Sequence, residues 1–145
     1  MPVPVPAIEL KNITKTFGPI VANKDVCLSA FRGEILALLG ENGSGKTTLM
    51  NMIAGIYYPD AGQIFIDGQE VVIASPKDAF RYKIGMIHQH FKLVDVFSAA
   101  ENIVLGLQEN ERFDLAKVNE KVRTISETYG FEIDPTKKIY EMSVS

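Results

Sequence analysis

The chain is predicted to be an α/β protein, and three observations carry that reading. Ile8 and Leu10 alternate with Glu9 and Lys11, and Ile13 continues with Thr14 and Thr16, as in a half-buried strand. A continuous apolar run, Ile35 to Leu39, leads into a glycine-rich loop and then a helical stretch. Beyond about residue 90 the apolar residues recur at helical spacing instead.

The elements follow in order. Prolines at positions 2, 4 and 6 remove backbone donors and favour an extended tail over residues 1–6. Strand signals run from Ala7 to Thr16, and Phe17-Gly18-Pro19 turns the chain. Ile20-Val21-Ala22 and Val26-Cys27-Leu28 resume extended structure, with Asn23-Lys24-Asp25 read as a turn between them. Arg32-Gly33-Glu34 turns again, and Ile35 to Leu39 is expected to be a strand buried on both faces. After the loop, Lys46 to Ala54 is a helical run that Gly55 is placed to end in a left-handed conformation. Pro59 to Gly62 is a turn, Gln63 to Ile66 a short strand, and Asp67-Gly68 a hairpin signal. Ser75-Pro76 reads as a helix start, and Ile84 to Ile87 as another short buried strand. Ser98-Ala99-Ala100-Glu101 is a capping box opening a helix toward Leu105. Asp114 caps a longer helix through Leu115, Val118, Val122, Ile125 and Tyr129, closed by Gly130. The expected organisation is thus a tail over 1–6, an α/β core over 7–89 and a helical part over 90–145.

Composition narrows the classes. The chain has 145 residues, 46% hydrophobic and 23% charged, the balance of an ordinary globular domain. Its net charge of −3 supplies no overall basic field for nucleic acid or an anionic membrane, so neither is expected as a direct partner. The longest apolar runs are strand-sized, far short of the roughly 20 residues a spanning helix needs. The lone Cys27 sits between Val26 and Leu28 and reads as a small strand residue.

Gly40-Glu41-Asn42-Gly43-Ser44-Gly45-Lys46-Thr47 fits the phosphate-binding pattern G-x-x-x-x-G-K-[ST] at every fixed position. An apolar run precedes it and a helical run follows it, which is the context the pattern demands. Glycines at 40, 43 and 45 let the backbone curl so that successive N–H groups face a phosphate. The helix start adds unpaired amides and the positive end of its dipole. Lys46 supplies a charge for the β- and γ-phosphates of a nucleoside triphosphate, and Thr47 a hydroxyl for Mg²⁺. The residues expected to cradle the nucleotide are Gly40, Asn42, Gly43, Ser44, Gly45, Lys46, Thr47 and Thr48. Asn23-Lys24-Asp25 mimics a guanine-recognition triplet, but it lies upstream of the loop, on the wrong side for a GTPase. A small-molecule kinase usually begins near its P-loop, whereas thirty-nine residues precede this one.

The order of features resembles the nucleotide-binding domain of ATP-binding cassette (ABC) proteins. That resemblance implies a P-loop NTPase fold of ABC type: an antiparallel β subdomain, part of a parallel core and the start of a helical subdomain. It implies that Phe17, before Gly18, stacks on adenine, and that Gln89 is the Q-loop glutamine reaching Mg²⁺ and the attacking water. Lys46 and Gln89 would then be the residues nearest the chemistry, with Thr47 and Gln89 toward the metal. His88 and His90 flank Gln89 and read as surface residues, with no metal assigned to them. The stretch Ile84 to Val94, followed by Ala100-Glu101-Asn102-Ile103, looks like the first cassette of importers for simple sugars and nucleosides. The implied partners are transmembrane permease subunits and a second nucleotide-binding domain. The implied location is the cytoplasm, at the inner face of the membrane through the permease. A soluble ABC ATPase of the translation or DNA-repair type is the alternative.

The resemblance also sets limits. Met142-Ser143-Val144-Ser145 stands where the family's signature motif begins, with valine and serine in place of its usual glycines. Asp60, Asp67, Asp78, Asp95 and Asp114 lie in turn or cap contexts, and none follows a long apolar strand. The family's Walker B aspartate, catalytic glutamate and switch histidine are expected beyond residue 145. The chain is therefore expected to be an N-terminal piece that binds ATP without turning it over.

Overall fold

The computed structural model describes residues 4–88, 93–105 and 114–142. They fall into two compact units, Met1–Ile87 and His88–Ser145.

In the first unit, β1 (Ile8–Phe17) and β2 (Ile20–Ala30) form a long antiparallel hairpin around the turn at Gly18-Pro19. β3 (Ala61–Ile66) pairs antiparallel with the other edge of β1, and β4 (Gln69–Val71) with β3, giving the order β2-β1-β3-β4. Asp67 and Gly68, at φ 49° and 79°, turn β3 into β4, the pair of positive angles that a tight hairpin of this kind requires. The segment Asn23-Lys24-Asp25 is not a turn. It lies within β2, where Asp25 takes a left-handed φ of 49° and the pairing register with β1 shifts.

α1 (Lys46–Ile53) follows the glycine-rich loop, and Gly55 ends its run at φ 72°. α2 (Pro76–Arg81) starts where Ser75 accepts a hydrogen bond from the Asp78 amide, with proline at the first turn. Leu10, Ile13 and Ile64 of the sheet pack with Leu49 and Met52 of α1, Ile73 and Ala79 to form the core. One face of the sheet therefore holds the helix that carries the loop.

Two expected strands are not formed. Ile35 to Leu39 and Ile84 to Ile87 carry no strand pairing among the described residues. A run buried on both faces needs a hydrogen-bonded neighbour and a covering layer, and the described sheet ends at β2 and β4. The first run still alternates. Leu36 and Leu38 line a cavity of about 630 Å³ with Leu28, Met50, Ile53 and Ile84. Ile35 and Leu39 face away from it, 99% and 88% exposed. Ile84 likewise packs on the core while Ile87 is exposed. The described sheet is antiparallel throughout, and the parallel part expected of the core has no strand pair among these residues.

The second unit holds α3 (Ala99–Val104), α4 (Leu115–Tyr129) and a 3₁₀ turn at Ile139–Glu141. Ser98 and Glu101 form the reciprocal capping box, and Asp114 caps α4 through the amides of Ala116 and Lys117. Gly130 closes α4 at φ 70°. Of the apolar residues spaced along α4, Val122 is buried, whereas Leu115, Ile125 and Tyr129 are exposed. Ser126 is buried in their place, donating to the Phe131 carbonyl at 2.6 Å and accepting from the Ile133 amide. Among the described residues no helix is long and apolar enough to cross a membrane.

Asp60, in the turn before β3, grips β1. Its carboxylate accepts from Lys15 Nζ, Thr16 N and Thr16 Oγ1, each at 2.7 Å. The Lys15 bond first, then those of Thr16, lower its pKa from 3.8 to about 2. A carboxyl held down in the folded state adds stability above its unfolded value and loses it as pH falls toward the folded value. The stability difference between the parent and Asp60→Asn is therefore expected to be level above pH 3.8 and to shrink between there and about 2. Urea unfolding of both proteins across that range checks it; a difference that stays constant down to pH 2 would contradict the bond pattern.

Candidate functional site

The loop from Gly40 to Thr47 is built by two left-handed glycines and one lysine. Gly43 and Gly45 take φ 84° and 86°, so the backbone reverses and enters α1 at Lys46. The Ser44 amide donates to the Glu41 carbonyl at 3.2 Å, closing the curl. Lys46 folds back over the loop it follows. Its ammonium donates to the carbonyls of Gly40 and Glu41, both at 2.7 Å, and to Ser44 Oγ at 3.3 Å. A single cation thus sits at the centre of the curl, beside the start of a helix whose first amides point the same way.

What holds the loop to the sheet is the bareness of Gly45. A Cβ built there would run into the Ala22 carbonyl oxygen of β2 and lie 2.8 Å from Asn23 Nδ2. Asn23 Nδ2 donates to the Gly45 carbonyl at 3.3 Å, and that same carbonyl accepts from the Leu49 backbone amide at 2.9 Å as α1 begins. Asn23 is buried, and its Oδ1 has no hydrogen-bond partner among the described residues.

The predicted residues are placed as follows. Gly40, Asn42, Gly43 and Ser44 are exposed, Gly45 and Lys46 are half-buried, and Thr47 and Thr48 stand on the first turn of α1. Thr47 is exposed. Phe17 lies at the end of β1, 41% exposed, beside the Tyr57 ring at 5.2 Å and 72° in a T-shaped pair. Gln89 and His90 lie outside the described residues, as do Ser143, Val144 and Ser145. Among the described residues no group of three or more His, Cys, Asp or Glu side chains could hold a metal ion.

Phe17 pairs with Ile20 across the hairpin, and Ala22 is two residues further along β2. At a strand rise of about 3.3 Å per residue, the ring's backbone and the loop contact are separated by roughly 7 Å along the strand. One hairpin therefore carries an exposed aromatic ring at its tip and the loop's anchor a short distance below.

Two residues of this neighbourhood were not singled out from sequence. Asn23 reads as a turn residue because the two-residue alternation of Val26, Leu28 and Ala30 points it outward, and the bulge at Asp25 shifts that alternation and turns Asn23 inward. Tyr57 carries no motif. Its only signal is an aromatic shortly after a helix end, too common to act on.

The ABC transporter family model matches residues 23–145. The chain is 48% identical over 139 residues to the guanosine import ATP-binding protein NupO of Bacillus subtilis, covering 94% of this chain and 27% of that protein. It is 44% identical to the nucleoside import ATP-binding protein NupA of Lactococcus lactis, covering 94% and 28%. A ribose import ATP-binding protein, RbsA of Caldanaerobacter subterraneus, is 39% identical, covering 96% and 29%. The chain thus spans little more than a quarter of the length of these curated relatives. Among solved structures, a nucleotide-free ATP-binding cassette from an ABC transporter matches with a TM-score of 0.79 and 25% identity, covering 95% of this chain and 59% of that one. A dimeric bacterial ABC transporter cassette matches at 0.75 and 26% identity, covering 94% and 63%.

Losing a charged hydrogen-bond donor costs about 1.5–3 kcal/mol, so Lys46→Ala is expected to weaken Mg-ATP binding roughly tenfold or more. It should exceed the effect of any other single substitution on affinity, with a smaller loss of melting temperature than Gly45→Ala because the three loop bonds of Lys46 are exposed. Gly45→Ala, whose methyl group meets the Ala22 carbonyl, should lower affinity and melting temperature together. Titration with a fluorescent nucleotide beside thermal denaturation separates the two; equal affinity in Lys46→Ala and the parent would remove the phosphate assignment.

Proposed function

The chain belongs to the ABC transporter family, and we propose that it is part of an importer's ATP-binding subunit, holding Mg-ATP for uptake of a nucleoside or simple sugar. The observation that carries this reading is the loop itself: a closed backbone curl around the Lys46 ammonium, seated at the start of α1. Its likeness to proteins named for guanosine, nucleoside and ribose import supports the solute class. A soluble ABC ATPase of translation or repair is not favoured by those relatives.

In this reading the Lys46 ammonium exchanges carbonyl oxygens of its own loop for β- and γ-phosphate oxygens. The amides of Gly43 to Thr48 surround the phosphates, in the geometry that helix starts and glycine-rich curls share. Thr47 offers one hydroxyl, which suits a magnesium ion brought in by the nucleotide rather than one caged by protein carboxylates. Bound there, the ion would offset the charge between phosphates. Gln89 would orient the attacking water, as a neutral amide can without taking its proton. Phe17 would stack on the base from the hairpin tip.

The partners proposed are permease subunits in the membrane and a second nucleotide-binding domain, with the protein on the cytoplasmic side. Positioning the triphosphate supplies only part of a catalyst. The acids near the core are engaged elsewhere: Asp60 with Lys15 and Thr16, Asp67 with Arg32, Asp78 with Ser75 and Arg81. Asp114 is bound to the amides it caps.

Binding without turnover is therefore expected of these 145 residues. Phosphate release should stay near the uncatalysed rate, independent of protein concentration, and Lys46→Ala should not change it. Steady release that Lys46→Ala abolishes would reveal a catalytic group within this chain. For the base, Phe17→Ala should lose about 1–3 kcal/mol of ATP affinity while Phe17→Tyr stays near neutral. Unchanged ATP affinity in Phe17→Ala would remove the stacking role.

A further inference from the structure

The hairpin tip that carries Phe17 is fastened from a direction the phosphate loop does not account for. Asp60 holds three consecutive residues of β1. Its amide donates to the Thr14 carbonyl at 2.9 Å, and its carboxylate takes Lys15 Nζ on one oxygen and both donors of Thr16 on the other. Phe17 is the next residue along. The Lys15 side chain is only 15% exposed, and its ammonium, pulled down by Asp60, lies 5.5 Å from the Phe17 ring centroid.

Tyr57 braces the same ring from the helix side. The amides of Ile56 and Tyr57 both donate to the Asn51 carbonyl of α1, at 2.8 and 3.2 Å, so Tyr57 is fixed to the end of the helix whose start lies at the phosphate loop. The hairpin that bears Phe17 is thereby held at two places. Ala22 and Asn23 meet Gly45 at the start of α1, and past the helix end Tyr57 meets the ring while Asp60 holds the three residues before it. An isolated exposed aromatic needs none of this.

We propose that Asp60 is a positioning residue for base recognition: by binding Lys15 and Thr16 it fixes the segment that bears Phe17, and so sets the ring's place relative to the phosphate loop. The role rests on the reading that Phe17 stacks on the nucleotide base. Tyr57 acts with it as the brace that stops the ring turning away. The geometry makes the effect selective. Ligands that fill only the phosphate loop do not reach the ring and should not sense Asp60.

The test compares ATP with inorganic triphosphate on the same 145-residue chain, each displacing a fluorescent nucleotide. Asp60→Ala should weaken ATP about threefold to tenfold, a part of what a stacked base contributes, and leave triphosphate within about twofold. Asp60→Asn, which keeps an acceptor for Thr16 and loses the ion pair, should fall between it and the parent, and it serves if Asp60→Ala does not fold. The chain has no tryptophan, so Phe17→Trp places a sole reporter at the ring. ATP should quench it and triphosphate should not, and adding Asp60→Asn should reduce the quench at saturating ATP. Equal weakening of ATP and triphosphate, or no weakening of either, overturns the positioning role. Phe17→Ala tells the two readings apart. If it leaves ATP affinity unchanged, the stacking reading fails and takes this one with it; if it weakens ATP alone while both Asp60 variants match the parent, only the role of Asp60 fails.

Discussion

The close approach of Gly45 to the Ala22 carbonyl is the constraint on which the rest of the site depends. It requires a residue with no side chain, in a left-handed conformation, at the point where the loop becomes α1. Because β2 comes that near, Asn23 can reach the Gly45 carbonyl, and because that carbonyl also starts the helix, the loop, strand and helix share one atom as a junction. The core then follows from it. α1 is held with Leu49 and Met52 against Leu10, Ile13 and Ile64, so burial of the helix and placement of the glycine-rich loop are the same event.

Much of this was legible from residue pattern. Local signals with a short-range physical cause held: the turn at Gly18-Pro19, the Asp67-Gly68 hairpin, the Ser75 and Asp114 caps, the Ser98 capping box, and Gly55 and Gly130 as helix ends. The loop from Gly40 to Thr47 could be found because its glycines and lysine have fixed spacing, and the structure places them in one curl. What failed depended on distant partners. Ile35 to Leu39 is apolar enough for a buried strand, but pairing is a property of two segments, and one sequence window reports only one of them. Asn23 was hidden by a bulge, which shifts the alternation by a residue and leaves no mark in composition. In α4 the apolar spacing specifies a helix but not which side is covered; Ser126 is buried and Ile125 is not. The grip of Asp60 on β1 spans more than forty residues of chain and has no local signature at all.

The two flanks of the phosphate loop are unequal. On one side lies α1, with its hydrogen-bonded turns, its buried Leu49 and Met52, and its junction to β2. On the other lies Ile35 to Leu39, with no ladder partner among the described residues and two of its side chains almost wholly in water. Local opening follows the weaker side, because a segment can leave its place only at the cost of the bonds and contacts it makes there. Amide hydrogen exchange along the loop would thus be a gradient rather than a plateau, fast before Gly40 and slow after Lys46. Among the described residues the glycine-rich loop is in this sense a cantilever, fixed at its helical end by α1 and β2.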